Sequence, residues 1–148
     1  MKKKILIPII IVILILITTF TIYVGFYGMA NDNVNNKISL LKSELINSGY
    51  NPYFIIICKK RSEKFNNLLP LSAKKSHHLN GDAIDIYVFD INNDFKFNDD
   101  DIKIIKEKIL LIEKKYPSLS GGFGTYTNKG KLSRRMIHID TRGYHCTW

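Results

Sequence analysis

From Ile5 to Gly25 the chain carries no charged residue. The run is mostly Ile, Leu, Val, Thr and Phe, and it exceeds the ~20 apolar residues that cross a bilayer. It is therefore set apart from the downstream fold. Lys2, Lys3 and Lys4 precede it and no Lys or Arg comes just after, a bias that keeps the N-terminus in the cytoplasm and sends the rest outward. The expected organisation is a basic tail at 1–4, a transmembrane anchor at 5–28, a linker at 29–36 and one domain over 37–148. A cleavable signal peptide is the competing reading. Its apolar core is usually shorter, about 7–15 residues, but Gly28-Met29-Ala30 offers the small residues that cleavage needs, and the domain would then be secreted.

The chain beyond residue 30 is about 118 residues long, enough for one core. It holds 19 of the 22 basic residues and all 13 acidic ones, a net charge of +6. A basic exterior favours anionic partners, among them phospholipid, nucleic acid and an acidic cell wall. The outward topology argues against nucleic acid, and most single lysines simply solvate the surface. Cys58 and Cys146 both lie in this part. An oxidising compartment permits a bridge between them, and spacing alone leaves the pairing open.

Helical spacing of Ile38, Leu41, Leu45 and Ile46, with Gly49 as a stop, predicts a first helix in the outer domain. Tyr53–Cys58 is an apolar, β-branched run that reads as a buried strand. Ser62 is placed to cap a short helix ended by Pro70. Ala83–Phe89 reads as a second strand. Asp99-Asp100-Asp101 opens the clearest helix, with Ile102, Ile105, Ile109 and Ile112 on one face and Pro117 beyond its end. Gly121–Tyr126 is a loop or bulged strand, and Met136–Thr141 is the last strand. Without a regular βαβ alternation, the order favours a small mixed α+β domain with a central antiparallel sheet and helices on one side.

Side chains on a strand alternate between faces. Asp85 and Tyr87 then point one way, Ile84, Ile86 and Val88 the other. His138 and Asp140 likewise share a face opposite Ile137 and Ile139. Pairing the two strands brings Asp85 and His138 together over the open face, and His78 enters from the preceding loop with Gly81 at its turn. Two imidazoles and a carboxylate, with a fourth position open, suit catalytic zinc. Each residue also has an ordinary role: a surface histidine, or an aspartate capping a turn. His77 is an alternative to His78.

Ser76-x-His78-x-x-Gly81-x-Ala83-x-Asp85 resembles the S-x-H-x-x-G-x-A-x-D signature of the D-Ala-D-Ala carboxypeptidase/dipeptidase family of zinc peptidases. That family shares a superfamily with murein endopeptidases and the hedgehog domain. Arg61-Ser62-x-x-x-Asn66, Gly121-Gly122-x-Gly124-x-Tyr126, Ile137-His138-Ile139-Asp140 and the ending Arg142-Gly143 with Trp148 are similar to further family segments, in the same order. The resemblance covers roughly 51–148. It implies Zn2+ held by His78, Asp85 and His138, with Arg61 binding substrate and stabilising an oxyanion, and Ser76 and Tyr126 lining the substrate site. Relatives carry an acid two or three residues before the last histidine, where this chain has Arg135 and Met136. Asp140 is then the expected base, or else it orients His138. The implied function is hydrolysis of an amide in peptidoglycan stem peptides or cross-links. A non-catalytic, zinc-stabilised wall-binding module of the hedgehog kind is the alternative, and a metal-dependent nuclease is a distant third.

Overall fold

The computed structural model describes residues 2–26, 28–69, 72–126 and 133–148, with side chains described from Ile7 to Tyr23 in the first segment. Helix α1 runs over Lys2–Phe26. Its side chains from Ile7 to Tyr23 are exposed all round, as an apolar helix with no polar face must be when nothing packs on it. The expected span over 5–28 is only partly carried by these residues. Among the described residues no helix is long and apolar enough to cross a membrane, the described side chains of α1 ending at Ile7 and Tyr23.

The expected linker is not a linker. Asn31 accepts a hydrogen bond from the Val34 amide at 3.1 Å and starts helix α2 at Asp32, which runs to Asn47. Val34, Lys37, Ile38, Leu41 and Leu45 form its buried stripe. The asparagines at 33, 35 and 36, which look like joint composition, are simply its first two turns. Gly49, at φ 77°, lies just past the helix end.

Strands β1 (Phe54–Cys58), β2 (Ala83–Val88), β3 (Gly122–Thr125), β4 (Met136–Asp140) and β5 (Cys146–Thr147) form one sheet in the order β1-β2-β4-β3-β5. The sheet is mixed: β5 runs parallel to β3, and the other neighbours are antiparallel. β1 is an edge strand with Ile55 about half exposed, so the run at 53–58 is less buried than its composition predicts. Helix α3 (Glu63–Leu68) is capped by Ser62, and α4 (His77–Asn80) is a single turn capped by Ser76. Helix α5 (Asp99–Lys115) opens on a capping box between Asn98 and Asp101. Helices α2 and α5 lie on one face of the sheet. Ile84, Ile86, Val88, Phe123, Ile137 and Ile139 meet them there in one apolar core, so this is a small α+β domain whose other sheet face is left for polar side chains.

Both cysteines are free. Cys58 and Cys146 sit on β1 and β5, the opposite edges of the sheet. Four strand spacings of about 4.8 Å separate them, far beyond the ~7 Å between Cα atoms that a bridge tolerates.

Candidate metal centre

The β2–β4 register pairs Asp85 directly with His138, as the alternation of the two strands predicts. His78 arrives from α4, not from an irregular loop. Ser76 caps that turn, and Gly81 closes it in the left-handed region at φ 81°, where a side chain would be strained. The three functional side chains are almost completely buried, at 1% for His78, 5% for Asp85 and 6% for His138.

Their donor atoms form a small triangle. His78 Nε2 lies 3.0 Å from Asp85 Oδ1 and 3.2 Å from His138 Nδ1, and the latter lies 2.9 Å from Asp85 Oδ1. Tetrahedral zinc with bonds of about 2.0–2.1 Å sets its donors about 3.3 Å apart. The three edges fall slightly inside that value, so the donor set fits zinc in both chemistry and size.

The outer partners decide which nitrogens are available. His78 Nδ1 is 2.6 Å from the Lys59 carbonyl, which can only accept, so Nδ1 donates and Nε2 presents its lone pair to the triangle. On His138 the arrangement is reversed: Nε2 faces Asp140 Oδ2 at 3.1 Å and Nδ1 faces the triangle. Without a metal, burial disfavours the His138 cation, but hydrogen bonds to Asp140 and Asp85 outweigh this and hold its pKa above the usual value. Burial alone would raise the Asp85 pKa. The hydrogen bond from His138, whose cation is favoured here, pushes it well below the ordinary carboxylate range instead.

Asp140 has two expected roles, proton acceptor and orienter of His138. It stands behind His138, on the nitrogen away from the triangle, and is fully buried. Its oxygens accept from the Gly122 amide at 2.6 Å and from Arg142 Nε at 3.0 Å as well as from His138. Burial alone would raise its pKa, but these donors hold it far below the ordinary range. Of the two roles, this set of partners supports holding the ring of His138. The glycines before it are steric necessities: a Cβ at Gly122 would lie 2.6 Å from Asp140 Oδ2, and one at Gly124 would lie 2.5 Å from the Trp148 ring.

A second donor approaches from the other side of His78. Cys58, Asp85 and His78 are all buried, with one ligand atom of each within 4.8 Å of the others, and that group could hold a metal ion. A β-bulge between Ile56 and Cys58 places the cysteine opposite Asp85. Its Sγ lies 3.7 Å from His78 Nδ1, however, the nitrogen already committed to Lys59. Burial and then Asp85 push the thiol pKa up to about 12, so the thiol stays protonated in the metal-free protein. The set with His138 brings its three donors within 3.2 Å of one another while the bond from His78 Nδ1 to Lys59 stays in place.

The triangle forms part of the wall of a cleft of about 660 Å3 that also includes Arg61, Ser76, His77, Tyr126, Met136 and Trp148. Arg61 Nη2 donates to Ser76 Oγ at 3.1 Å, while its buried Nε has no hydrogen-bond partner among the described residues. Ser76 also caps α4, so its hydroxyl ties that turn to Arg61. His77, the alternative ligand, is instead paired with Asp82 at 3.0 Å. Burial, and then Asp85, raise the Tyr126 pKa, leaving its hydroxyl protonated over the pH range of a cell. Two residues carry more than their sequence context reveals. The Trp148 ring lies 5.4 Å from His138 and 4.8 Å from the Arg142 guanidinium, so it forms a wall of the centre. Cys58 closes an apolar strand, and only the bulge in its pairing turns it toward His78.

Compared with known proteins, the chain matches no protein-family model, and no curated protein or solved structure is significantly similar to it. The functional reading therefore rests on the donor set, the cleft and the motif spacing of the sequence itself.

Proposed function

We propose that the protein is a zinc-dependent peptidoglycan peptidase, of carboxypeptidase or endopeptidase type, held at a membrane by α1 with its domain outside the cytoplasm. One observation carries this reading: His78 Nε2, Asp85 Oδ1 and His138 Nδ1 converge within 3.2 Å at a cleft that also holds an arginine with an unsatisfied donor. Bound there, zinc supplies Lewis acidity and lowers the pKa of water toward ~7. The side chains do the rest. Arg61 holds the carbonyl or carboxylate of the peptide and faces the negative charge that develops on the carbonyl oxygen. Tyr126, kept protonated, lines the same cleft. Asp140, clamped by Arg142 and the Gly122 amide, fixes the ring of His138 so that Nδ1 and not Nε2 faces the cleft. The uncharged sequence from Ile5 to Gly25, longer than the described side chains of α1, supports the membrane location.

The test uses the full chain in detergent, with zinc content measured by mass spectrometry and isolated peptidoglycan as substrate. Release of fragments bearing a new amine and a new carboxylate is expected, and their masses identify the bond. A protein that binds one zinc and releases no fragment sinks the peptidase reading.

Cys58 favours a second reading. A fourth protein ligand would close the site, and closed sites are structural, which fits a wall-binding module without turnover. Cys58→Ser separates the two. A three-ligand peptidase keeps one zinc per chain and its turnover within about twofold, whereas a closed site loses most of its zinc affinity.

A further inference from the structure

The short segment after α1 is built into the wall of the site. Gly28 is bridged in antiparallel fashion to Lys60, and the Asn31 amide donates to the Gly81 carbonyl at 2.8 Å. Ala30 is buried between these two contacts in the sequence. Both partners adjoin the centre: Arg61 follows Lys60 and donates its amide to the His78 carbonyl at 3.0 Å, and Gly81 ends the turn that carries His78. Distance is then set by covalent geometry. Two Cα steps of about 3.8 Å lead from Phe26 to Gly28. A strand-pair spacing of about 5 Å reaches Lys60, and one more step reaches Arg61. The Cα of Arg61 is therefore within about 16 Å of the end of α1, whichever way the helix leaves the domain.

That same wall is strongly basic. Residues 59–75 contain Lys59, Lys60, Arg61, Lys64, Lys74 and Lys75 against a single acid, Glu63. Lys60, Lys64, Lys74 and Lys75 are exposed. Among the described residues the ion pairs of lysine and arginine engage Lys37, Lys103, Arg134, Arg135 and Arg142, and none of these six. The start of this unpaired cluster, at Lys60 and Arg61, lies within about 16 Å of the end of α1, about two decay lengths of the potential of an anionic surface, which falls over about 8–10 Å.

We propose that this basic rim docks on the anionic phospholipid headgroups of the membrane that holds α1, so that the cleft works on peptides presented at that surface, still tethered to lipid. The proposal rests on α1 residing in lipid, and its substrate part also rests on the peptidase reading.

The experiment places the full chain in nanodiscs of phosphatidylcholine alone, or with one third phosphatidylglycerol, and tracks hydrogen–deuterium exchange of residues 59–64 and 72–76. Exchange should slow about tenfold in the anionic discs. The gain should vanish in a Lys60→Gln, Lys64→Gln, Lys74→Gln variant, whose changed side chains lie outside the cleft. Equal exchange in both lipids overturns the docking. So does equal protection in neutral discs on adding soluble peptidoglycan, which would assign the rim to the wall polymer. The second measurement compares kcat/KM for one stem peptide, lipid-tethered or free. A roughly tenfold preference for the tethered form is expected in anionic discs, lost in the triple variant while the free-peptide rate stays constant. Equal rates on the two forms overturn the substrate assignment. Absence of turnover on both, with lipid protection intact, overturns the peptidase reading and the substrate assignment with it, and leaves the docking surface established.

Discussion

Two clusters of buried charge flank Asp140 and its strand, and they are built on opposite plans. On the helix side, Lys37 Nζ donates to Glu113 Oε1 at 2.6 Å and to the Asp140 carbonyl at 2.9 Å, while Glu113 also accepts from the Gly121 amide at 3.2 Å. Every contact there has a natural donor and acceptor. Burial pushes the Lys37 pKa down, but Glu113 opposes the shift. On the other side, His78, Asp85 and His138 turn three potential lone-pair donors toward one point. A buried ion pair is complete in itself; convergent acceptors become complete only with a cation.

The widest separation between the clusters should come from His138→Ala against Lys37→Ala. The first should lower zinc content from one per chain to nearly none and turnover by about 1,000-fold or more, measured by metal analysis and product release. The second removes the lysine partner of Glu113, which keeps the Gly121 amide and His145, and should cost about 3 kcal/mol in chemical denaturation, with zinc content unchanged. Loss of zinc in Lys37→Ala at temperatures where it remains folded would erase the distinction. Lys37→Met with Glu113→Leu should recover much of the lost stability, since an apolar pair replaces the ionic one.

Asp140→Asn is the next largest effect, and it sharpens the division of labour within the centre. A positioning residue lost from behind a ligand weakens zinc affinity about 10–100-fold. At saturating zinc the variant should regain most of its kcat. If Asp140 were the proton acceptor, kcat would stay low however much zinc is supplied.

The pH response should be smaller and two-sided. Asp85 and Asp140 have folded pKa values below the ordinary 3.8, so their contribution is complete above that pH and is lost as pH falls below it. His138 is raised above 6.5, so its contribution is complete below 6.5 and is lost as pH rises through the elevated value. Metal-free protein should therefore show its highest Tm between these limits, and Asp140→Asn should flatten the acid side. Zinc must displace the proton of His138, so affinity should fall about tenfold per pH unit below the raised pKa. The Lys37–Glu113 cluster predicts no such dependence for zinc.

What the sequence makes legible in this centre is what periodicity controls. Ile84-Asp85-Ile86 and Ile137-His138-Ile139 alternate, so their faces and their pairing can be read from the need to bury isoleucine. The acids, isoleucines and lysines of α5 mark its start, face and end. Less regular features escape. β5 is two residues long and is defined by backbone pairing with β3, which no side-chain pattern announces. The asparagine-rich start of α2 looks like a linker because packing of Val34, not helix propensity, makes it helical. Lys37 sits on an apolar stripe where Glu113 and the Asp140 carbonyl, 76 and 103 residues away, explain it. The role of Asp140 depends on which way an imidazole faces, and the strand face alone cannot specify that.

His78 and His138 are 60 residues apart in the chain, whereas His78 and Asp85 belong to one short turn-and-strand unit. Holding both histidines on one ion closes a loop whose entropic cost, growing as the logarithm of its length, is about 3–4 kcal/mol before any constant contribution. An ion held there would act as a staple as well as a reagent. If an ion is held there, its removal should expose β3, β4 and β5 to proteases sooner than in the loaded protein, tying the lifetime of the protein to metal supply.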